Sequence, residues 1–242
     1  MDNETSALFF CPLLKARRRT ISTRSKHNSA MDNPQIKSRR RVVDHGEVFT
    51  NPREVRAMLD LVPSECERLD SRFLEPACGD GNFLVEILTR KLNVCRRRAE
   101  ARQYTQLQYE QAAVQSVSSI YGIELLADNA EACRERLFAC FDEQYRSLYG
   151  EAAKDECRTA VRYLLHKNII CGNALTYKTS DGRWITVSEW SLLGQGMVNR
   201  RDYEFSYLVG DSAAQDLFSD IPCATFPPVY FLNLNAAAYG EE

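Results

Sequence analysis

Residues 73–84 read Phe-Leu-Glu-Pro-Ala-Cys-Gly-Asp-Gly-Asn-Phe-Leu, a short apolar run that enters a turn with two glycines and leaves it through polar Asn82. Gly79 and Gly81 can take backbone angles closed to other residues, and they carry no side chain to hold a ligand away. In an open α/β sheet such a turn lies at the carboxyl ends of the strands, where ligands bind. The chemistry on offer is recognition of a small polar molecule by backbone N–H groups and nearby carboxylates. Glu75 lies beneath the turn and can accept from a ligand ammonium or from turn N–H groups, and Pro76 ends the strand. Glu75 and Asp80 can equally serve only to satisfy the turn backbone. The spacing Gly-x-Gly-x-x-Leu lacks the third glycine of a dinucleotide fingerprint, and no Gly-Lys-Ser/Thr follows, which counts against NAD, FAD and a phosphate-binding loop.

The elements that must position this turn alternate. Asn51-Pro52 caps and starts a helix with Val55, Met58, Leu59 and Val62 on one face. A strand is expected at 72–75, a helix at 82–98, a polar helix near 100–114, a strand at 118–124, helices at 127–149 and 151–166 split at Gly150, and a strand at 168–171. Strands separated by helices predict an α/β fold with a doubly wound, mostly parallel sheet and helices on both faces. A fourth strand is expected at 184–187.

The extended segment Glu75-Pro76-Ala77-Cys78-Gly79-Asp80-Gly81-Asn82-Phe83 resembles the first motif of adenine-N6 DNA methyltransferases of restriction–modification systems. Three more segments match that family in its own order. His45-Gly46-Glu47-Val48-Phe49-Thr50-Asn51-Pro52 resembles the segment that precedes motif one and touches the methionine end of the cofactor. Tyr121-Gly122-Ile123-Glu124 resembles the second motif, and Cys171-Gly172-Asn173-Ala174-Leu175 the third. The resemblance covers about residues 44–176. It implies a Rossmann-like class I methyltransferase that binds S-adenosylmethionine through Phe49, Thr50, Glu75, Pro76, Gly79, Gly81, Glu124 and Asn173. Glu124 ends a strand, where its carboxylate can accept from both ribose hydroxyls. Asn173 replaces the usual Asp opposite the adenine amino group, and its carbonyl oxygen can accept that bond without the charge.

The family's Asn/Asp-Pro-Pro-Tyr/Phe tetrapeptide, whose aromatic ring stacks on a flipped base, does not follow Leu175. The nearest local substitute is Ser188-Glu189-Trp190, in which Ser188 or Glu189 could accept from an amino group and Trp190 could stack. The alternative is a buried tryptophan in an ordinary strand end. Phe226-Pro227-Pro228-Val229-Tyr230 reads as an extended, polyproline-like tail segment. Two functional alternatives stay open. One is a degenerate methyltransferase-fold subunit acting as a binding partner; the other is a methyltransferase acting on RNA, protein or a small molecule.

Charge is uneven. Residues 1–41 hold ten Lys/Arg against three acidic residues, a net +7, and the whole chain is −2, so residues 42–242 carry −9. A net acidic body argues against a broad nucleic-acid face and leaves room for a local patch, with Arg200-Arg201 a better candidate than Arg96-Arg97-Arg98. Residues 1–41 are expected to be a disordered basic tail, 42–210 the cofactor-binding domain and 211–242 an irregular tail. Nine cysteines without a CxxC pair, and three histidines, point to free thiols in a reducing cytoplasm and to no metal site. No apolar run of membrane-spanning length occurs. The partners implied are DNA and, for target recognition, a separate specificity or restriction subunit.

Overall fold

The computed structural model describes residues 9–10, 37–45, 47–209 and 221–241. Strands β1 (Phe9–Phe10), β2 (Phe73–Glu75), β3 (Ile120–Glu124) and β4 (Ile169–Asn173) lie side by side and parallel, and β5 (Lys178–Thr179) joins the far edge antiparallel to β4. Helices separate the strands. They are α1 (Arg39–His45), α2 (Pro52–Leu59), α3 (Pro63–Glu67), α4 (Asn82–Glu100), α5 (Gln106–Ser118), α6 (Ala127–Tyr149) and α7 (Asp155–Asn168).

The local chemistry explains the boundaries. The Asn51 side chain accepts from Arg53 N–H at 2.9 Å and Pro52 opens α2. Thr105 and Gln108 cap the start of α5 reciprocally. Gly150, with φ +52, separates α6 from the turn that leads to α7. Apolar residues three and four apart face inward: Phe83, Leu84, Ile87, Leu88, Leu92 and Cys95 of α4 meet Cys133, Leu137, Phe141 and Tyr145 of α6 and Val161 and Leu164 of α7 in one buried cluster. Each such side chain contributes roughly 1.5–3 kcal/mol by leaving water. Charged side chains are also enclosed here, Lys91 and Glu110 among them. Lys91 is fully buried, and its ammonium donates to Leu69 O, Ser71 O and Ser119 Oγ at 3.2, 2.5 and 2.7 Å. Burial nevertheless pulls its pKa down to about 7.

The expected fourth strand at 184–187 is not part of the parallel sheet. Strand β6 (Thr186–Leu192) instead pairs antiparallel with β7 (Met197–Glu204) over seven register pairs. A parallel crossover needs a dozen or more residues, usually a helix, and the link from β4 to β6 has none. The chain therefore turns back twice, first into β5 and then into a separate antiparallel sheet. The turn at Gly194–Gly196 supports this with Gln195 and Gly196 at φ 63 and 76.

Both terminal stretches carry more structure than the sequence predicts. Phe9–Phe10 lies within the stretch expected to be disordered and adds to the free edge of β2, whose backbone groups offer a ladder; α1 begins at Arg39. After α8 (Phe205–Val209), residues 210–220 lie outside the described residues. Strands β8 (Ala224–Thr225) and β9 (Val229–Tyr230) then both pair with β7, and Phe231 and Leu234 are fully buried. The segment read as a polyproline-like tail is thus extended but docked. The eight described cysteines are free thiols. No described helix is long and apolar enough to cross a membrane.

Candidate functional site

Parallel pairing brings the ends of β2, β3 and β4 to one edge, with Glu75 level with Gly122 and Glu124 level with Cys171. The glycine turn folds over that edge. Gly79 and Gly81 have φ of +56 and +91, both left-handed. Cys78 N–H donates to Ile123 O at 3.1 Å, and Gly79 N–H donates to Glu124 Oε2 at 2.9 Å. The other oxygen, Oε1, accepts from Leu126 N–H at 3.0 Å and from Asn129 Nδ2 at 3.4 Å. Glu124 therefore ties the turn to the start of α6. A carboxylate offers roughly four lone-pair sites, so capacity for a further donor remains. Packing also demands both glycines. A Cβ on Gly81 would lie 2.6 Å from Cys133 Sγ, and one on Gly79 would lie 3.1 Å from the Phe49 ring. Beneath them, the Cys78 thiol is pushed well above its usual range by a bond with Cys133 and by burial, which keeps it neutral.

Arg136 of α6 grips the turn from the far side. Its Nη1 reaches Asp80 O and Asp80 Oδ2, both at 2.8 Å, and its Nη2 donates to Asn82 Oδ1 at 2.9 Å. Asn82 in turn donates to Thr50 O at 3.1 Å, latching residues 49–50 onto the helix start. The other Asp80 oxygen, Oδ1, is buried without a partner. Gly81 is the N-cap of helix α4 and offers no side-chain cap, leaving first-turn N–H groups open.

Residues 37–45 and 47–49 lie against the same edge. Arg41 donates to Glu47 Oε2 at 2.5 Å and to Asp128 Oδ2 at 2.7 Å. Lys37 reaches Asp128 at 3.1 Å and also Asn129 Oδ1. Asn129 Nδ2 donates to Glu47 Oε1 at 2.6 Å, which connects this cover to Glu124. The bond from Arg41 holds the Asp128 carboxyl well below the usual carboxylate range. Burial works the other way on Glu47, but the bonds from Arg41 and Asn129 prevail and keep it low. Glu124 itself is 8% exposed.

Phe49, Thr50, Glu75, Pro76, Gly79, Gly81 and Glu124 thus sit together around one turn, and Asn173 ends the neighbouring strand. The use of Asn173 differs from the expectation. Its Oδ1 accepts from Leu175 N–H at 2.8 Å and Thr176 N–H at 3.3 Å, closing an Asx turn. The group left to meet a ligand is the Nδ2 donor, not the carbonyl oxygen.

Ser188, Glu189 and Trp190 are not brought to this edge. All three lie mid-strand in β6. Ser188 O accepts from Tyr121 Oη at 3.0 Å, Glu189 pairs with Arg72 at 2.7 Å, and Trp190 Nε1 donates to Asn168 Oδ1 at 2.8 Å. Arg72 and Asn168 immediately precede β2 and β4, so the trio stands toward the amino ends of the strands, opposite Glu124. Arg200, expected as a nucleic-acid contact, is buried as well. It forms a paired bond with Asp202 at 2.8 and 2.6 Å and reaches Glu241 at 2.7 Å. Arg201 remains exposed. Arg96 pairs with Glu100, Arg97 with Glu67, and Arg98 with Tyr104.

Residue-level reading missed Cys133, Arg136, Asp128, Asn129, Lys37 and Arg41. The one usable signal was Asp128 in the first turn of a helix directly after Glu124, since an acidic residue there suits the helix dipole. The others are defined only by what packs against the turn.

A family model described as MmeI, DNA-methyltransferase domain, matches residues 54–210, more than half of the chain. No curated protein and no solved structure matches it.

Proposed function

From the premise that the chain belongs to the MmeI DNA-methyltransferase domain family, we propose that it is an S-adenosylmethionine-dependent DNA methyltransferase of the adenine-N6 type, with a Rossmann-like cofactor domain, serving a restriction–modification system. The observation that carries the proposal is the carboxylate of Glu124, held at a strand end by Gly79 N–H at 2.9 Å, with acceptor capacity to spare. The remaining groups suit the cofactor's other parts. Buried, partnerless Asp80 Oδ1 can take a donor, the uncapped start of α4 suits a carboxylate, and Asn173 Nδ2 can donate to a base nitrogen. Phe49 and Thr50, latched through Asn82, close the wall beside the turn. When bound, S-adenosylmethionine supplies a methyl group on a sulfonium, which is already a good leaving group. What the chain must add is positioning. Glu124 and Asn173 set the nucleoside along the strand ends, while the glycine turn admits the amino-acid end close to the backbone. Entry requires the bridge from Lys37 and Arg41 to Asp128 and Glu47 to yield.

A second function is favoured by a specific observation: the chain beyond Asn173 folds into an Asx turn and hairpin, and Ser188, Glu189 and Trp190 lie at the opposite edge. A chain so built can hold the cofactor and act as a partner subunit without transferring the methyl group. Calorimetric titration with S-adenosylmethionine and S-adenosylhomocysteine, paired with tritiated-methyl transfer to DNA, RNA and protein, separates the two. Binding with transfer to DNA supports the enzyme. Binding without transfer to any acceptor supports the partner subunit. Absence of binding to both nucleosides overturns both.

A further inference from the structure

The sheet edge that carries Glu124 continues past Asn173. Lys178 is the register partner of Asn173, and Trp184 bridges to Lys178 on the other side. Directly paired residues project to the same face of a sheet, and two ladder spacings place Trp184 about 10 Å from Asn173. Trp184 is a large aromatic residue left 49% exposed. The Lys178 ammonium stands 4.7 Å from its ring centroid. Arg183, next in sequence, has a side chain 82% exposed and pairs with Asp181 in the same turn. Leu175, on the adjoining turn, is 86% exposed. Large apolar groups left in water mark interaction surfaces, and here the groups beside them are cations. An indole face flanked by Lys and Arg matches the chemistry of an unpaired nucleotide, whose base stacks on an aromatic ring while its phosphates meet the cations.

We propose that the turn from Lys178 to Trp184 is a stacking platform for an unpaired nucleotide of the substrate strand, with the Trp184 indole taking a base and Lys178 and Arg183 taking phosphates. The proposal rests on the nucleic-acid substrate argued above and assigns the aromatic surface to a different tryptophan from Trp190.

The chain contains two tryptophans. Trp190 is 5% exposed and its N–H is already bonded to Asn168, so quenching by a ligand reports on Trp184. The full chain is titrated with a single-stranded oligothymidylate while tryptophan emission is followed, and cofactor binding is measured on the same samples by calorimetry. Saturable quenching is expected, and it disappears in Trp184→Phe. Trp184→Ala weakens oligonucleotide binding about tenfold, and Trp184→Phe by about threefold or less, because stacking tolerates any aromatic ring. Lys178→Gln and Arg183→Gln each lower the salt slope of binding by about one. The platform is overturned by absence of quenching, by quenching of equal size in Trp184→Phe, or by unchanged affinity in Trp184→Ala. Cofactor binding without oligonucleotide quenching removes the platform and leaves the cofactor site standing. Quenching without cofactor binding does the reverse.

Discussion

The edge of the sheet around Glu124 and the knot around Arg200 are both rich in charge and aromatic rings, yet they are built to opposite ends. In the knot, the charged groups answer one another within the chain. Arg200 is bonded to Asp202, Tyr163 and Glu241 and lies 4.3, 5.1 and 5.6 Å from the ring centroids of Phe226, Tyr239 and Trp190. Together these contacts fasten the C-terminal segment to β7 and α7. At the sheet edge, polar groups are held in place but left with capacity: Glu124 retains an acceptor site, Asp80 Oδ1 has no partner, and Trp184 faces water. The lesson is that chemistry-bearing residue types do not by themselves make a site. What distinguishes a site is a constrained charged group whose bonding is incomplete.

Breaking the knot should have the largest effect. Arg200→Met leaves Asp202 without its cation and Glu241 with the cation of Lys167 alone, and removing one partner of a buried pair costs about 3–5 kcal/mol. Urea unfolding is expected to show that loss, while cofactor affinity of the folded fraction stays within about twofold. The mirror experiment is Glu124→Gln. It keeps one side-chain acceptor but removes the charge, and hydrogen bonds to charged groups are worth roughly 1.5–3 kcal/mol. Cofactor affinity is expected to fall about 10- to 100-fold by calorimetry, and stability by about 1–3 kcal/mol, because the amide nitrogen cannot accept from Gly79 or Leu126 N–H. A fall in stability without one in affinity would erase the distinction between the two regions.

Gly81→Ala probes the turn between these extremes. The added Cβ meets Cys133 Sγ at 2.6 Å and the backbone is at φ +91, together costing about 1–3 kcal/mol. Adding Cys133→Ala removes the collision but not the unfavourable angle, so about half the loss is expected to return in thermal melts. Glu189→Ala should cost the least. It breaks a half-buried pair with Arg72, worth about 0–1 kcal/mol, and any methyl transfer is expected to continue at close to the parent rate.

The cover over Glu124 supplies a pH test of the same contrast. The folded-state pKa values of Asp128 and Glu47 lie below the ordinary values of 3.8 and 4.5. Their contribution is therefore complete above those ordinary values and is lost as pH falls through the depressed ones. Hydrogen exchange in residues 39–45 is expected to lose protection below about pH 4, before the knot opens.

Much of this was legible along the chain. Asn51-Pro52 announced α2, the glycines of residues 79–81 marked a strand–turn–helix junction, and Gly150 parted α6 from α7, because capping and left-handed backbone are local properties. The convergence of Phe49, Glu75, Gly79, Gly81 and Glu124 followed from motif order. The path after Asn173 was not legible. Residues 184–187 look equally like a parallel or an antiparallel strand until the absence of a crossover helix is weighed, and that choice decided where Ser188, Glu189 and Trp190 went.

By itself, then, the sequence determined the strand ends, the glycine turn and the carboxylate that meets it, since those depend on residues close along the chain and on strand direction. Only the tertiary structure decided which tryptophan is covered, which atom of Asn173 is spent on its own turn and which arginine is neutralised. Burial and hydrogen-bond partnership are set by what distant segments pack against a residue, and no local spacing encodes that.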